Sequence, residues 1–204
     1  MTHSYFYIGG KIAMDKILVS IRCITFNHAM YLKNALNSFI NQRTSFQYEI
    51  IVHDDASTDG TTEILKDYEK KYPNLIRAFY EEKNLYSQNL LSERMNEIDK
   101  NETRGKYIAY CEGDDFWIDN NKLQIQIDYM EQHPEYAMTG HNVIIMDSKN
   151  HTVMPMDGFN TEQDVTTEEI ILNSKMCFQT SSFVIRKSVL NPHIELLQDC
   201  AIGD

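Results

Sequence analysis

The sequence lacks the features that mark several common classes of protein. It has only four cysteines among 204 residues. They lie far apart and form no CxxC pair, which argues against a zinc site or a disulfide framework and favours a reducing cytoplasm. No apolar run approaches the roughly 20 residues of a membrane-spanning helix. Residues 1–15 lack the long apolar centre of a signal peptide, so we interpret them as an irregular arm or an upstream extension.

Positive charge is also scarce. The chain has 19 Lys and Arg residues against 30 Asp and Glu residues, a formal net charge of −11, and its basic residues form no cluster. Nucleic acids and anionic lipid surfaces both require a basic face, so we expect neither as a partner. Hydrophobic residues make up 42% of the chain, which is ordinary for a globular protein and sufficient for one domain with a real core.

Apolar runs of strand length alternate with segments of helical period along the first two thirds of the chain. This alternation predicts right-handed crossovers and an α/β fold, with a Rossmann-like, mostly parallel sheet flanked by helices. The predicted strands cover residues 16–24, 48–53, 75–80 and 106–111. The predicted helices cover residues 29–42, 57–73, 90–100 and 120–134, and Ser57, Thr58 or Asp59 is expected to cap the second of them.

The pattern loosens after about residue 135. Residues 137–146 and 181–187 are predicted strands, separated by a polar stretch at 147–164 and a short helix at 167–173. We interpret this part as a continuation of the same domain, in which some strands are antiparallel. The predicted domain therefore spans residues 16–204.

Acidic residues follow two of the predicted strands. Asp54 and Asp55 come after the second strand, and Glu112, Asp114 and Asp115 come after the fourth. Ligands of open parallel sheets bind beyond the carboxyl ends of the strands, and two strand–helix units separate these groups. Either group alone could serve only to shape a turn. Together they predict one crevice in which a divalent cation, Mn²⁺ or Mg²⁺, offsets the repulsion and bridges an anionic diphosphate.

These residues resemble the inverting glycosyltransferases of family two, which have the nucleotide-diphospho-sugar-binding GT-A fold. The resemblance covers roughly residues 16–204 and rests on four stretches in the family's order. "VSIRCITFNHAMYLKNALNSFINQ" is similar to the opening strand, turn and helix, and "IIVHDDASTDGTTEIL" to the V-D-D-G-S-T-D-G-T signature. "RGKYIAYCEGDDFWIDNNKLQIQ" is similar to the metal-binding D-x-D region, and the final "IGD" to the motif that carries the catalytic base.

The resemblance implies nucleotide-binding roles at the ends of the first two strands. Thr25 and Asn27 would lie in the first turn, with Thr25 beside the nucleotide base. Asp55 would accept a hydrogen bond from the base, and Asp54 would shape the turn that holds it.

The resemblance also implies the metal site and the base. Asp114 and Asp115 would hold the metal and the diphosphate, with Glu112 at the first position of the D-x-D motif, where Asp is commoner. Asp204 would act as the general base. Because the chain ends there, we expect a catalytic domain that is incomplete at its C-terminus, binds the donor and transfers poorly.

Several further residues allow both a functional and a structural interpretation. Trp117 suits a sugar or nucleotide contact and a core position equally well. Thr180 and Ser181 precede a predicted strand in a region that faces the donor sugar in the resembling family, but polar residues are common there. We interpret His28 and His141 as structural, because no two histidines have metal-ligand spacing.

The resemblance predicts transfer of a sugar from a nucleotide sugar to an acceptor hydroxyl, with inversion. It implies a UDP-sugar donor, a saccharide or lipid-linked saccharide acceptor and a role in surface-polysaccharide assembly, in the cytoplasm or at the membrane periphery. Two alternatives stay open at this point: a non-catalytic protein that binds nucleotide sugars, and a nucleotidyltransferase of the same fold. The second normally has a Gly-rich basic loop after the first strand, and "ITFNHAMY" has neither feature.

Overall fold

The computed structural model describes residues 16–147, 152–155, 161, 163–166 and 179–190. Strands and helices alternate in its first part: β1 Val19–Thr25, α1 Leu32–Ile40, β2 Tyr48–Asp54, α2 Thr61–Lys71, β3 Ile76–Tyr80, α3 Leu91–Glu97, β4 Tyr107–Tyr110 and α4 Lys122–Gln132. Four short strands follow: β5 Met138–Thr139, β6 Ile144–Asp147, β7 Thr152–Pro155 and β8 Val184–Arg186. A π-helical turn, Ile98–Glu102, extends α3.

The main sheet has six strands in the order β3-β2-β1-β4-β8-β5. The first four are parallel to one another, and β8 runs antiparallel to both β4 and β5. The remaining strands, β6 and β7, form a separate antiparallel pair. The prediction of a mostly parallel α/β sheet with antiparallel strands in its C-terminal part is therefore confirmed.

The central strands are apolar because they are covered on both faces. Almost every residue of β1 and β2 is buried. Helix α1 places Leu32, Leu36 and Phe39 on one face by helical spacing, and all three are fully buried. Helix α4 does the same with Leu123, Ile127 and Met130. Burying one such side chain stabilises the fold by about 1.5–3 kcal/mol.

The C-terminal part differs from the sequence prediction. The strand predicted at 137–146 is two short strands, β5 and β6, which belong to different sheets. Strand β7 lies inside the polar stretch at 147–164, where the sequence predicts no strand. Pairing with β6 outweighs the weak strand preference of its residues. The arm at residues 1–15 and the helix predicted at 167–173 lie outside the described residues.

The start of α2 lies slightly later than predicted. The residue before the helix is Gly60, which has no side chain to serve as a cap. Of the three predicted capping residues, Asp59 bonds to the helix start, because its Oδ1 accepts a hydrogen bond from the Thr61 backbone N–H at 3.0 Å. Among the described helices, none is long and apolar enough to cross a membrane.

A buried polar network joins the starts of β1, β2 and β4. Glu49 is 1% exposed, and its Oε1 accepts hydrogen bonds from the Ser20 hydroxyl at 2.6 Å and the Arg104 backbone N–H at 2.7 Å. The Gly105 N–H donates to Ser20 Oγ at 2.9 Å. A Cβ at Gly105 would lie 2.5 Å from the backbone nitrogen of Ser20, so only glycine allows this approach.

We expect Gly105→Ala to destabilise the protein by about 1–3 kcal/mol, because the atoms that the added Cβ meets are backbone atoms of β1 and β4 that cannot move aside. Urea unfolding measures the loss. The control is Lys106→Ala, which removes a surface ion pair with Glu131 and an exposed contact with the Tyr107 ring and should stay within about 0.5 kcal/mol of the wild type. Equal stability of the two variants would contradict the close approach.

Candidate functional site

The two acidic groups lie at the same rim of the main sheet. Strand β1 separates β2 from β4, and all three run in the same direction. Thr25, the last residue of β1, is level with Asp54, the last residue of β2. Beyond β4 the chain continues along β1, where the Gly113 N–H donates to the Ile24 carbonyl at 2.8 Å. The two acidic strand ends therefore lie at the same rim, on either side of β1, and their convergence on one crevice stays a prediction.

Asp54 and Asp55 are each only 1% exposed. Asp54 accepts hydrogen bonds from the Ser57 backbone N–H at 3.1 Å and from the Thr62 hydroxyl, so it fixes the turn that leads into α2. The two oxygens of Asp55 accept the backbone N–H groups of Leu85 at 2.6 Å and Tyr86 at 3.0 Å. The nucleotide contacts expected of both residues stay a prediction.

The turn after β1 is bonded to the turn after β2. Asn27, at φ 55°, accepts the Thr58 N–H at 2.8 Å and donates its own N–H to the Ser57 hydroxyl at 2.9 Å. Asp59 Oδ2 accepts the Ala29 N–H at 3.0 Å. Ser57, Thr58 and Asp59, which the sequence suggested only as helix caps, thus hold the two turns together. This second role depends on the pairing of β1 with β2 in the folded protein, so the local sequence does not predict it.

The loop after β4 presses closely onto the turn after β1. A Cβ at Gly113 would lie 2.7 Å from Thr25 Oγ1 and 3.0 Å from His28 Nδ1. Neither of these two buried atoms has a hydrogen-bond partner within the described part of the chain. On the other side of its ring, His28 Nε2 lies 3.8 Å from Asp114 Oδ2. His28, interpreted from the sequence as structural, is therefore a rim residue, and Gly113 is what lets the acidic loop reach it.

Negative charge in the loop after β4 is offset only in part by the protein, through Arg22 near Glu112 and the ring of His28 beside Asp114. Glu112 is half-buried, and burial raises the pKa of its carboxyl, with a further rise from the charges of Asp115 and Asp114. Both aspartates are exposed. In the described residues no three His, Cys, Asp or Glu side chains are arranged around a common metal position.

These residues still fit a hard divalent cation. Glu112, Asp114 and Asp115 are carboxylates, which such cations prefer, and the orphaned oxygen of Thr25 lies against the same loop. The cation would be completed by oxygens of a bound diphosphate rather than by protein groups alone. The metal-binding roles of the three carboxylates stay a prediction.

Trp117 lies in the core and not on the surface of the crevice. It is 5% exposed, and its ring centroid is 4.9 Å from that of Phe39. Its indole N–H donates to the Ser181 carbonyl at 2.7 Å. Ser181 is buried and Thr180 is exposed. Trp117 and Ser181, which the sequence suggests as separate sugar contacts, therefore contact each other. The roles of Trp117, Thr180 and Ser181 in binding a sugar stay predictions.

A cavity of about 350 Å³ adjoins the acidic loop at Asp115. We call it the α4 cavity; it is lined by residues of the loop 115–119, by Lys122, Ile125 and Gln126 of α4, by residues 141–144 and by Ser181. Lys122 is 5% exposed, and its Nζ lies 4.1 Å from the Trp117 ring centroid. Burial lowers the pKa of Lys122 to about 7. Nothing in the sequence pattern marks this lysine, because it lies among the polar residues at the start of a helix.

Asp204, the expected general base, lies outside the described residues. Its position relative to the rim therefore stays a prediction.

Comparison with known proteins identifies the family. The sequence profile of glycosyl transferase family 2 matches residues 20–192. An uncharacterised protein of Mycobacterium tuberculosis is 32% identical over 169 residues, which cover 83% of this chain and 47% of that protein. TuaG of Bacillus subtilis, named as a teichuronic acid biosynthesis glycosyltransferase, is 28% identical over 78% of this chain and 59% of its own length. The chain thus spans about half the length of the relatives it matches.

Solved structures share the fold. Staphylococcus aureus TarS in complex with UDP superimposes with a TM-score of 0.54 at 20% identity, over 85% of this chain and 48% of that chain. The mannosyltransferase PcManGT of Pyrobaculum calidifontis, in complex with GDP-Man and Mn²⁺, has a TM-score of 0.57 at 13% identity, over 90% of this chain and 47% of that one. Both likenesses support the GT-A architecture predicted from the sequence.

The turn after β2 contains a strained residue. Ala56 has φ 63°, a conformation that costs a residue with a Cβ about 1–2 kcal/mol, whereas glycine adopts it freely. We expect Ala56→Gly to stabilise the protein by about 0.5–1 kcal/mol, the relief of strain being partly offset by the entropy that glycine adds to the unfolded chain. Urea unfolding measures the gain. Ala29→Gly, in the neighbouring turn at a position without positive φ, should instead lower stability.

The buried Lys122 should make stability depend on pH. Its pKa is about 7 in the folded protein and 10.5 ordinarily, so the unfolded chain binds more protons between these values and stability rises with pH in that window. The destabilisation is fully present below pH 7 and is lost as the pH passes the unfolded value. We expect the wild type to gain about 2 kcal/mol relative to Lys122→Met between pH 7 and pH 9.

Urea unfolding at the two pH values measures this difference. Lys33→Met, which removes an exposed lysine of α1, should follow the pH dependence of the wild type. Parallel profiles for the wild type and Lys122→Met would show that Lys122 is solvated and fully charged.

Proposed function

The chain belongs to glycosyl transferase family 2, and we propose that it transfers a sugar from a nucleoside-diphosphate sugar to an acceptor hydroxyl with inversion at the anomeric carbon. The observation that carries this proposal is the shared rim of the main sheet. Asp54 and Asp55 close β2, and Glu112, Asp114 and Asp115 follow β4, on either side of β1. An acidic protein can hold an anionic diphosphate at such a place only through a cation.

The nucleotide would bind where the turns after β1 and β2 are bonded together. Thr25 offers a buried hydroxyl without a partner among the described residues, and Asn27 and Asp59 keep the two turns at a fixed spacing. Asp55 is held by two backbone N–H groups, and each of its oxygens has a second lone pair for the nucleotide base. We propose uridine as that base, with support from the resemblance and from the UDP complex of TarS.

The acidic loop would hold the cation. Glu112, Asp114 and Asp115 are the residues that would bind Mn²⁺ or Mg²⁺, and the Mn²⁺ complex of PcManGT supports the choice of ion. When bound, the cation supplies Lewis-acid stabilisation of the charge that develops on the departing diphosphate. Burial raises the pKa of Glu112 most, and the charges of Asp115 and Asp114 raise it further; a bound cation would offset this repulsion.

Inverting transfer also needs a base on the acceptor side. A carboxylate must take the proton of the acceptor hydroxyl as that oxygen attacks the anomeric carbon. We propose Asp204 for this role. We further propose a saccharide or lipid-linked saccharide acceptor, surface-polysaccharide assembly and a cytoplasmic location, with support from the name of TuaG and from the resemblance.

Metal-dependent donor binding is the expected outcome in a thermal-shift panel of nucleotide sugars with and without Mn²⁺. One nucleotide class should raise the melting temperature only when the metal is present, because the cation bridges two negative partners; a ligand at a hundred times its Kd stabilises by about 2.7 kcal/mol. The double variant Asp114→Asn/Asp115→Asn should lose most of this shift. Both residues are exposed, so the variant should fold normally.

Asp128→Asn is the matched control, because this aspartate is exposed on α4 and bonds only to Gln124. A donor shift that persists in chelator, or that survives in the double variant, would contradict the metal site. Release of nucleoside diphosphate in the presence of acceptor then separates an enzyme from a protein that only binds nucleotide sugars. Asp204→Asn should abolish that release and leave the donor shift intact.

A further inference from the structure

The α4 cavity contains polar groups that the proposed donor site does not use. At about 350 Å³ it falls in the size range of small-molecule sites, roughly 300–1,000 Å³. Its lining includes Asp115 of the acidic loop and three residues of α4, and no residue of the turns after β1 and β2. A ligand in the α4 cavity would therefore lie next to the acidic loop and not on the nucleotide turns.

Lys122 places an unused donor at the α4 cavity. Its Nζ is buried and has no hydrogen-bond partner within the described residues. The centroid of the Trp117 ring lies 4.1 Å from Nζ, so the ring stabilises positive charge on the amine. It offers no lone pair to accept a hydrogen bond from the amine. A buried amine left in this way costs free energy unless a ligand accepts its hydrogen bonds.

Gln126 and His141 supply unused acceptors. Gln126 Nε2 donates to the Ser182 carbonyl at 3.0 Å, which fixes the amide orientation and leaves Oε1 without a partner. His141 Nδ1 lies 2.8 Å from the Asn142 carbonyl and must carry the proton there. Burial lowers the pKa of His141, so the ring is neutral and its buried, unpartnered Nε2 is an acceptor.

The charges and the walls favour a neutral, hydroxyl-rich ligand. Two carboxylates, Asp115 and Asp119, line the α4 cavity against one amine, that of Lys122. An anionic ligand would meet net negative charge, whereas hydroxyl groups can donate to acceptors and accept from the amine. Apolar side chains complete the wall at Phe116, Ile118 and Ile125, and these suit the C–H faces of a sugar ring.

We propose that the α4 cavity is the subsite for the acceptor and takes a neutral pyranose, with hydroxyls donating to Gln126 Oε1 and His141 Nε2 and accepting from Lys122 Nζ. The identification of this sugar as the acceptor rests on the proposed function. The binding of a neutral pyranose does not, because it needs neither donor nor metal. Uronic acids, which carry a carboxylate on the same ring, are the ligands that the α4 cavity discriminates against.

The chain carries its own probe of the α4 cavity. Trp117 is its only tryptophan and lies in the wall, so its fluorescence reports directly on occupancy. We would titrate the protein, without donor or metal, with methyl glucopyranoside, methyl galactopyranoside and the methyl glycoside of glucuronic acid. At least one neutral pyranoside should change the emission saturably, and the uronic acid should bind at least about tenfold more weakly than its neutral counterpart.

Lys122→Met tests the assigned contact. The methionine is one atom shorter but keeps an unbranched apolar side chain against Trp117, and removal of a buried amine should leave the protein folded. Loss of the hydrogen bonds to the pyranose should weaken binding about tenfold. Lys33→Met should bind like the wild type.

Three outcomes would overturn the proposal: no saturable change with any neutral pyranoside, tighter binding of the uronic acid, or unchanged affinity in Lys122→Met. The donor thermal shift, measured on the same preparations, separates this failure from that of the proposed function. Donor stabilisation without pyranose binding overturns only the α4 cavity proposal. Pyranose binding without donor stabilisation overturns the donor site and leaves the α4 cavity proposal standing.

Discussion

Repulsion between carboxylates at one end of a parallel sheet is the constraint on which the site depends. The parallel order of β2, β1 and β4 brings two acidic strand ends to the same rim, where each charge raises the cost of the other. The two acidic strand ends differ in the hydrogen bonds that the protein donates to their carboxylates. Asp54 and Asp55 are buried, and each accepts two hydrogen bonds: Asp54 from the Ser57 N–H and the Thr62 hydroxyl, and Asp55 from two backbone N–H groups.

The acidic loop after β4 receives less compensation, chiefly the charge of Arg22 acting on Glu112. Backbone N–H groups of this loop donate to carbonyl oxygens. The Gly113 N–H, for example, donates to the carbonyl of Ile24. The pKa of Glu112 is raised by burial and by its two acidic neighbours, and Asp114 meets only the ring of His28 at 3.8 Å. The acidic end after β2 is thus held by several donors of the protein, whereas the acidic end after β4 receives few, which supports the proposal that a cation binds there. That asymmetry distinguishes a binding site from a pair of ordinary strand-to-helix turns.

The sequence predicts those parts of the fold that depend on local periodicity. Strands β1 to β4 and helices α1 to α4 were found close to their observed bounds, and their alternation alone places the acidic ends together. Contacts between distant segments were not predictable in this way. The close approach of Gly113 to Thr25 and the pairing of β6 with β7 depend on tertiary packing. Lys122 was missed for the same reason, because nothing in "NNKLQIQ" shows that the helix start is buried.

Helix α4 links the acidic loop to the α4 cavity by its periodicity. Leu123, Ile127 and Met130 bury one face in the core, while Lys122 and Gln126, four residues apart, form an adjacent stripe that lines the α4 cavity. The same helix begins directly after the loop that carries Asp114 and Asp115. Because its apolar face is fixed in the core, the spacing between the carboxylates and the polar stripe is fixed as well. A donor bound at the acidic loop and an acceptor bound in the α4 cavity would therefore be held at a fixed separation by the packing of α4. Transfer of a sugar between them requires such a fixed separation.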